Sequence, residues 1–392
     1  MKITLVIASL SSGGAERVLA GMANHWVSMG HDITVITYSA PESDFNRLDE
    51  RVTRFALDCL SSSSNLFQAL YHNLRRLVKL RNAIRKAQSP LVISFMDRMN
   101  VMVIIACLGL KSKVIVSEHT DPALQSIGVI WSSLRWITYP FSDAIVVLSE
   151  QSREWFIRSM GRKKNLFSGA AQKIFAMPNP IDCSLILRQS HEQLPGEMLA
   201  VLKAKKTVFT QIARLSEEKN PLLLVKACLL LRRKYTEFVV LFIGQGPLME
   251  AMRKRISENH LEEHILLLGE KANPYPYLAA ARAALLTSNV EGFGLVLAEA
   301  MVCGAVPVST DCSGPRSILE DGQFGLLVPL NDPALFAEAM YRIAADNNLH
   351  RELRKGAAEY VRQFDMPVVM KQWEALIQKI QINSGKVTDS ST

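Results

Sequence analysis

Two carboxylates eight positions apart, Glu291 and Glu299, bracket the stretch best equipped for chemistry, ALLTSNVEGFGLVLAEAMVCG, which runs from Ala284 to Gly304. The apolar run at 284–288 ends in Asn289, a turn follows at Glu291-Gly292-Phe293-Gly294, and an apolar-periodic segment at 295–302 closes at Gly304. That order predicts a strand, a glycine loop and a helix. Gly292 and Gly294 let backbone approach a ligand closely. The helix start offers free N–H groups and positive potential to a phosphate. One acid beside a sugar-like group, one deeper on the helix and an anion site between them fit a nucleotide-sugar pocket better than a metal or nucleophile site. The same residues also describe a surface loop with two solvated acids, and taken alone they leave both readings open.

The elements that must position this stretch alternate along the chain. A strand at 3–8 leads through Ser9-Leu10-Ser11-Ser12-Gly13-Gly14 to a helix at 15–29, and a second strand follows at 32–37. This is a βαβ unit with a glycine turn, lacking both the G-x-G-x-x-G and the G-K-[ST] spacing. Further strands are predicted at 91–95, 114–117 and 144–148, the first two ending at Asp97 and His119. Ligand groups gather at the carboxyl ends of such strands, which favours Asp97 and His119 over an average polar residue, although a single histidine is more often structural. Residues 174–177 with Pro178-Asn179-Pro180 read as a linker after the first domain, and 185–206 as polar and helical. A second alternation has strands at 208–212, 238–243, 265–268, 284–288, 306–310 and 326–328. Arg214 and Lys219 follow its first strand, where they can neutralise a diphosphate or serve as surface charge. A closing helix at 367–382 carries Met370, Trp373, Leu376, Ile377 and Ile380 at helical spacing, and 383–392 reads as a disordered tail.

Composition narrows the classes. With 392 residues, 48% of them hydrophobic, the chain suits two globular domains. Residues 1–180 hold 21 Lys and Arg against 13 Asp and Glu, while 181–392 hold 24 against 24, so the whole net charge of +8 lies in the first half. That half favours an anionic partner. Much of the excess sits on a predicted helix at 65–88. There Arg75, Arg76, Lys79, Arg81, Arg85 and Lys86 fall within twelve residues that hold no acid, beside an apolar side of Leu66, Leu70, Leu74, Leu77, Val78 and Ile84. A solvated face and a surface for membrane or lipid diphosphate are equal readings. Only Tyr71 stands near these cations, which argues against a nucleic-acid binder. The six cysteines form no C-x-x-C and suit a reducing compartment. Residues 3–10 read as a first strand rather than a leader, and no run is long enough to span a membrane. His260-Leu261-Glu262-Glu263-His264 mimics a zinc motif, but a strand begins at once, so the two histidines cannot share a helix face. No D-x-D occurs to suggest a metal-held nucleotide, and no G-x-S-x-G occurs.

With these pieces in place the chain resembles family 4 of the retaining glycosyltransferases, which have the GT-B fold. The resemblance rests on EGFGLVLAEAM with Glu291 and Glu299, on Ser11-Ser12-Gly13-Gly14-Ala15-Glu16, on Ala213-Arg214-Leu215 with Lys219-Asn220, on Gly244-x-Gly246-Pro247 and on Pro178-Asn179-Pro180-Ile181-Asp182. More narrowly, SSGGAERVL, ISFMDRMN and VIVSEHTDP are similar to bacterial transferases that extend N-acetylgalactosamine-containing oligosaccharides on undecaprenyl diphosphate. The resemblance implies an α/β fold of two Rossmann-like domains facing a cleft. Residues 1–180 would bind the acceptor and receive the closing helix at 366–382, and residues 181–365 would bind the nucleotide-sugar.

It also implies roles. Glu291 would hydrogen-bond the donor sugar and Glu299 the ribose. Arg214 and Lys219 would stabilise the leaving diphosphate, assisted by N–H groups of Gly14 and of the helix start after Phe293, at Gly294 and Leu295. Gly244 would line the donor site, and His119 would meet the sugar at its C6 side. The implied reaction is a same-face displacement without cofactor or metal, with UDP the commoner nucleotide and a lipid-linked saccharide as acceptor at the cytoplasmic membrane face. The basic helix would serve that acceptor and an anionic membrane surface. A GT-B epimerase, a phosphorylase and a non-catalytic membrane-docking scaffold are the rival readings. One departure is Gly314-Pro315-Arg316-Ser317, where related sequences often carry an acid at the position of Ser317.

Overall fold

The computed structural model describes residues 1–60, 65–124, 127–161, 170–204 and 207–388. The chain divides into two compact units, Met1–Pro180 with Met366–Thr392, and Ile181–Asp365. Each is built on one all-parallel sheet with helical crossovers.

In the first unit, β1 (Lys2–Ile7), β2 (Asp32–Thr37), β3 (Thr53–Ala56), β4 (Leu91–Phe95), β5 (Lys113–Ser117), β6 (Ala144–Val147) and β7 (Ile174–Ala176) are ordered β3-β2-β1-β4-β5-β6-β7. The central strands β1, β2, β4, β5 and β6 are almost wholly buried because both sheet faces are covered, as parallel sheets require. The order reverses between β1 and β4, and such a switch point opens a crevice at the strand carboxyl ends. Helix α1 (Gly14–Ser28) follows β1, α2 (Leu66–Ala87) follows β3, α3 (Asp97–Cys107) follows β4, and α4 (Val129–Thr138) follows β5. The short strands β3 and β7 were not predicted: Thr53-Arg54-Phe55-Ala56 lacks a strong apolar signal, and Ile174-Phe175-Ala176 is a three-residue run that reads as linker before Pro178.

The closing helix, Met366–Thr388, buries Val369, Met370, Trp373, Leu376 and Ile377 within the first unit, with Trp373 edge-on to Trp26 at 6.3 Å. It runs past the predicted end at residue 382, so the backbone at 383–388 is helical rather than a disordered tail. Residues 389–392 of that tail, and 205–206 of the predicted helical stretch at 185–206, lie outside the described residues.

In the second unit, β8 (Thr207–Ile212), β9 (Phe238–Ile243), β10 (Ile265–Leu267), β11 (Ala283–Leu286), β12 (Val306–Thr310) and β13 (Leu326–Val328) are ordered β10-β9-β8-β11-β12-β13. The switch point falls between β8 and β11, which pair with Ala283 opposite Phe209. The predicted apolar face of α2 is corrected. Leu80, Ala83, Ile84 and Ala87 in its second half are buried, but Leu70, Leu74 and Val78 are exposed. Periodicity alone does not reveal which part of such a stripe the fold covers.

Candidate active site

The switch point of the second sheet brings together two loops far apart in sequence. The loop after β8 carries Arg214 and Lys219, and the loop after β11 carries Glu291. Lys219 Nζ donates to Glu291 Oε2 at 2.6 Å, and Ser288 Oγ donates to the same oxygen at 3.2 Å. Both side chains are partly shielded, Lys219 retaining 27% and Glu291 15% of its exposure. A charge-assisted bond of this length fixes both groups without closing them off from a ligand.

The Lys219 loop is held by main-chain and side-chain ties. Gln211 Nε2 donates to Thr287 Oγ1 at 2.8 Å, and Thr287 Oγ1 donates to the Lys219 carbonyl at 2.9 Å. Asn289 N donates to the Glu218 carbonyl at 2.8 Å, and Asn220 Nδ2 donates to Asn289 Oδ1 at 3.0 Å. Asn220 takes a left-handed conformation (φ 43°, ψ 55°), which its short polar side chain tolerates, and the helix Pro221–Arg232 follows directly. Lys219 is therefore a preorganised cation.

Arg214 is exposed and its backbone is clamped on both sides. Ala213 N donates to the Ile243 carbonyl at 3.0 Å, and Leu215 N to the Gln245 carbonyl at 2.9 Å. This contact requires glycine. A Cβ at Gly244 would lie 2.0 Å from the Ala213 oxygen, and one at Gly246 would lie 2.4 Å from the Leu215 oxygen.

The Glu291 loop rests on the loop after β12. Thr310 Oγ1 and Cys312 Sγ donate to the Ser288 carbonyl at 2.6 and 3.2 Å, and Gly314 N donates to the Glu291 carbonyl at 3.2 Å. A Cβ at Gly314 would lie 2.6 Å from Phe293 N. Sequence reasoning noted Gly314 only as part of a motif and missed it as the floor under Glu291. The Phe293 ring is buried edge-on against Phe364 at 5.5 Å, so it anchors the loop and leaves only its backbone to a ligand. Gly294 caps the helix Leu295–Cys303 in a left-handed conformation, and Leu295 is buried. Glu299 is 2% exposed on that helix. Burial, then the Glu299 charge, pushes the Cys303 thiol up to about 12. Ser317 is exposed, and neighbouring Arg316 pairs with Asp311 and Asp321.

In the first unit, His119 stands just past the end of β5. Its ring stacks on Phe95 at 4.9 Å, and its Nε2 lies 3.0 Å from Ser117 Oγ. Burial pushes the imidazole down to about 3, so it is neutral at ordinary pH. Among the described residues its Nδ1 has no hydrogen-bond partner. Beneath it lies a buried network that the sequence did not reveal. Arg135, 3% exposed, sits 3.5 Å from Glu118 and 3.7 Å from Asp97. Tyr139 OH donates to Glu118, and Asn100 Nδ2 donates to Tyr139 OH at 3.2 Å. Burial raises the Glu118 carboxyl against the opposing charge of Arg135. Asp97 is thus engaged in this network. Gly14 opens α1, and Glu16 in the same turn accepts a bond from Ser11 Oγ at 3.2 Å.

The basic helix divides. Arg76 Nε donates to the Cys59 carbonyl at 3.1 Å, Lys79 Nζ to the Leu57 carbonyl at 2.8 Å, and Arg81 Nη1 to the Leu108 carbonyl at 2.8 Å. These three tie α2 to its own unit while keeping their charge. Arg75, Arg85 and Lys86 are exposed, and Lys86 lies over the Phe55 ring at 5.3 Å.

Residues 12–185 match the model of Glycosyltransferase Family 4, and residues 200–360 match that of Glycosyl transferases group 1. Two curated relatives come from Campylobacter jejuni. One is the GalNAc-alpha-(1->4)-GalNAc-alpha-(1->3)-diNAcBac-PP-undecaprenol alpha-1,4-N-acetyl-D-galactosaminyltransferase, 28% identical over 97% of this chain and 99% of its own length. The other is an N-acetylgalactosamine-N,N'-diacetylbacillosaminyl-diphospho-undecaprenol 4-alpha-N-acetylgalactosaminyltransferase, 27% identical over 93% of this chain and 96% of its own. Among solved structures, Anabaena HepE in complex with UDP-glucose superposes with a TM-score of 0.77 at 18% identity, covering 97% of this chain and all of that one.

Proposed function

The chain belongs to glycosyltransferase family 4, with the GT-B fold, and from that premise we propose that it moves an N-acetylhexosamine or hexose from a UDP-sugar to a lipid-diphosphate-linked saccharide. The observation that carries this reading is the 2.6 Å pair of Lys219 with Glu291 at the switch point of the second sheet. The names of the Campylobacter relatives support the acceptor class, and the UDP-glucose in the Anabaena structure supports the nucleotide.

In this reading the Glu291 carboxylate accepts hydrogen bonds from the donor sugar's hydroxyls, and Glu299 accepts them from the ribose. Lys219 and Arg214 face the diphosphate. The acceptor hydroxyl oxygen bonds to the anomeric carbon on the face that UDP leaves, its proton passes to the departing phosphate, and the configuration is retained. Negative charge develops on the leaving diphosphate, where cations already in place stabilise it without reorganisation. No metal is proposed, because Lys219 and Arg214 fill that part. The neutral His119 offers Nδ1 to a sugar hydroxyl, and Gly14 offers N–H groups to phosphate. These two roles rest on the family resemblance.

The cations of α2 serve the lipid diphosphate, and the enzyme works at the cytoplasmic membrane face. Among the described residues no helix is long and apolar enough to cross a membrane, which suits a peripheral attachment. The test is transfer from a panel of UDP- and GDP-sugars to a lipid-linked saccharide, with thermal protection by UDP and GDP measured in parallel. Protection by UDP, and loss of transfer in a folded Glu291→Ala variant, is expected. Full transfer by that variant overturns the assignment.

A further inference from the structure

Thr287 and Ser288 follow β11 directly, and both are fully buried. Their hydroxyls serve different partners. Thr287 Oγ1 donates to the main-chain carbonyl of Lys219 at 2.9 Å, and Ser288 Oγ donates to Glu291 Oε2 at 3.2 Å. Two consecutive residues therefore hold both members of the ion pair, Lys219 by its backbone and Glu291 by its carboxylate.

Gln211 sets the first of these bonds. Main-chain pairing of β8 with β11 runs through Phe209 opposite Ala283 and Thr210 opposite Ala284. Gln211 is the next residue on β8, and its Nε2 reaches Thr287 Oγ1 at 2.8 Å. Thr287 has one hydroxyl hydrogen, which goes to the Lys219 carbonyl, so its oxygen accepts from Gln211. That aims the amide nitrogen of Gln211 at Thr287. Gln211 is fully buried, where an amide is less favourable than an apolar side chain unless its hydrogen bonds are made. A side-chain bond thus takes over beside the last paired residues, at the switch point where the two loops diverge.

We propose that Gln211 and Thr287 are positioning residues for Lys219. The two bonds, from Gln211 to Thr287 and from Thr287 to the Lys219 carbonyl, fix the loop and set the ammonium against Glu291 before a donor arrives. This deepens the reading above and rests on it for the role of Lys219 at the diphosphate. When the diphosphate binds, the backbone stays pinned and only the lysine side chain turns, from Glu291 Oε2 to a phosphate oxygen. Glu291 keeps its bond from Ser288 and takes up the sugar. Gln211 and Thr287 are buried away from the donor and act only through Lys219.

The test uses Thr287→Val, which keeps the shape and removes the hydroxyl, Gln211→Met, which removes the amide, and Thr287→Ser, which keeps the hydroxyl. Transfer by the full chain to a lipid-linked saccharide is measured in the unaltered and the Lys219→Met backgrounds, with thermal unfolding to confirm folded protein. Thr287→Val and Gln211→Met should each lower kcat roughly three- to tenfold, the scale of one lost neutral hydrogen bond, and Thr287→Ser should restore it. In the Lys219→Met background neither change should lower kcat further, because the group they position is gone. Equal fold-losses in the two backgrounds overturn the proposal, since a merely structural role acts without Lys219. Full transfer by both folded variants overturns it as well. A second readout needs no sugar. Acetylation of Lys219 by acetic anhydride, read by mass spectrometry, should rise severalfold in Thr287→Val and Gln211→Met and stay low in Thr287→Ser, and an unchanged rate in the first two overturns the proposal. Absence of transfer by the unaltered chain with every donor counts against the glycosyl-transfer reading alone, and the acetylation rates then decide whether the two residues position Lys219.

Discussion

Lys219 and Glu291 are separated by 72 residues in sequence and by 2.6 Å in space. The relationship follows from sheet order, because β8 and β11 are neighbours and each feeds its loop to the same end. The two charges serve adjacent parts of the proposed donor, one the diphosphate and one the sugar. Lys219→Met should therefore cost about a hundredfold or more in kcat, the scale of a lost transition-state contact. Lys219→Arg should recover part of it. Because the residues touch, the Lys219→Met/Glu291→Gln double variant should lose less than the sum of the single losses. Steady-state kinetics on the four proteins checks this, and strict additivity would show that the pair does not act as a unit.

Gly314 supplies a second prediction. A Cβ there meets the backbone nitrogen of Phe293 at 2.6 Å, and backbone cannot swing aside. Gly314→Ala should cost about 1–3 kcal/mol of stability and displace Glu291, lowering transfer with it. Gly21→Ala is the control. Its Cβ would meet the Met366 methyl group at 2.9 Å, the end of a flexible side chain, and should be tolerated. Denaturant unfolding and transfer rates read both. Equal tolerance at the two positions would remove Gly314 as the floor of the site.

The parallel sheets were legible because apolar runs such as Leu91–Phe95 and Phe238–Ile243 alternate with glycine turns and periodic segments. The pairing of Lys219 with Glu291 was not, since periodicity gives strands and not their order. β3 escaped notice because its residues are half-buried and mixed. The apolar side of α2 was misplaced because spacing shows that a stripe exists, while tertiary packing decides what covers it. Arg135 was invisible as a functional neighbour. A lone arginine in WSSLRWITYP reads as an interruption of an apolar run, and only the fold sets it against Glu118 and Asp97.

That buried arginine supplies the third prediction. Removing one partner of a buried ion pair leaves an uncompensated charge, so Arg135→Met should cost about 3–5 kcal/mol. Adding Glu118→Gln should restore much of it, because the stranded carboxylate is gone while Tyr139 keeps a partner. Urea unfolding of the single and double variants is the measurement. If the double variant is no more stable than Arg135→Met, Glu118 is not the charge that Arg135 compensates.

The fourth prediction concerns acid. Burial takes His119 from the ordinary 6.5 to about 3 in the folded chain, while the unfolded chain keeps the ordinary value. Above 6.5 both states hold a neutral ring, and the contribution of His119 does not change with pH. Between 6.5 and 3 the unfolded chain binds a proton that the folded chain refuses, so stability falls as pH falls. His119→Gln removes that proton and can still bond Ser117. Its plot of unfolding free energy against pH, from about pH 7 to about pH 5, should be shallower than that of the unaltered protein by up to about 1.4 kcal/mol per pH unit. The other histidines are common to both proteins and cancel in the comparison. Parallel plots would mean that His119 titrates alike folded and unfolded, and that its ring is open to water rather than held neutral against Phe95.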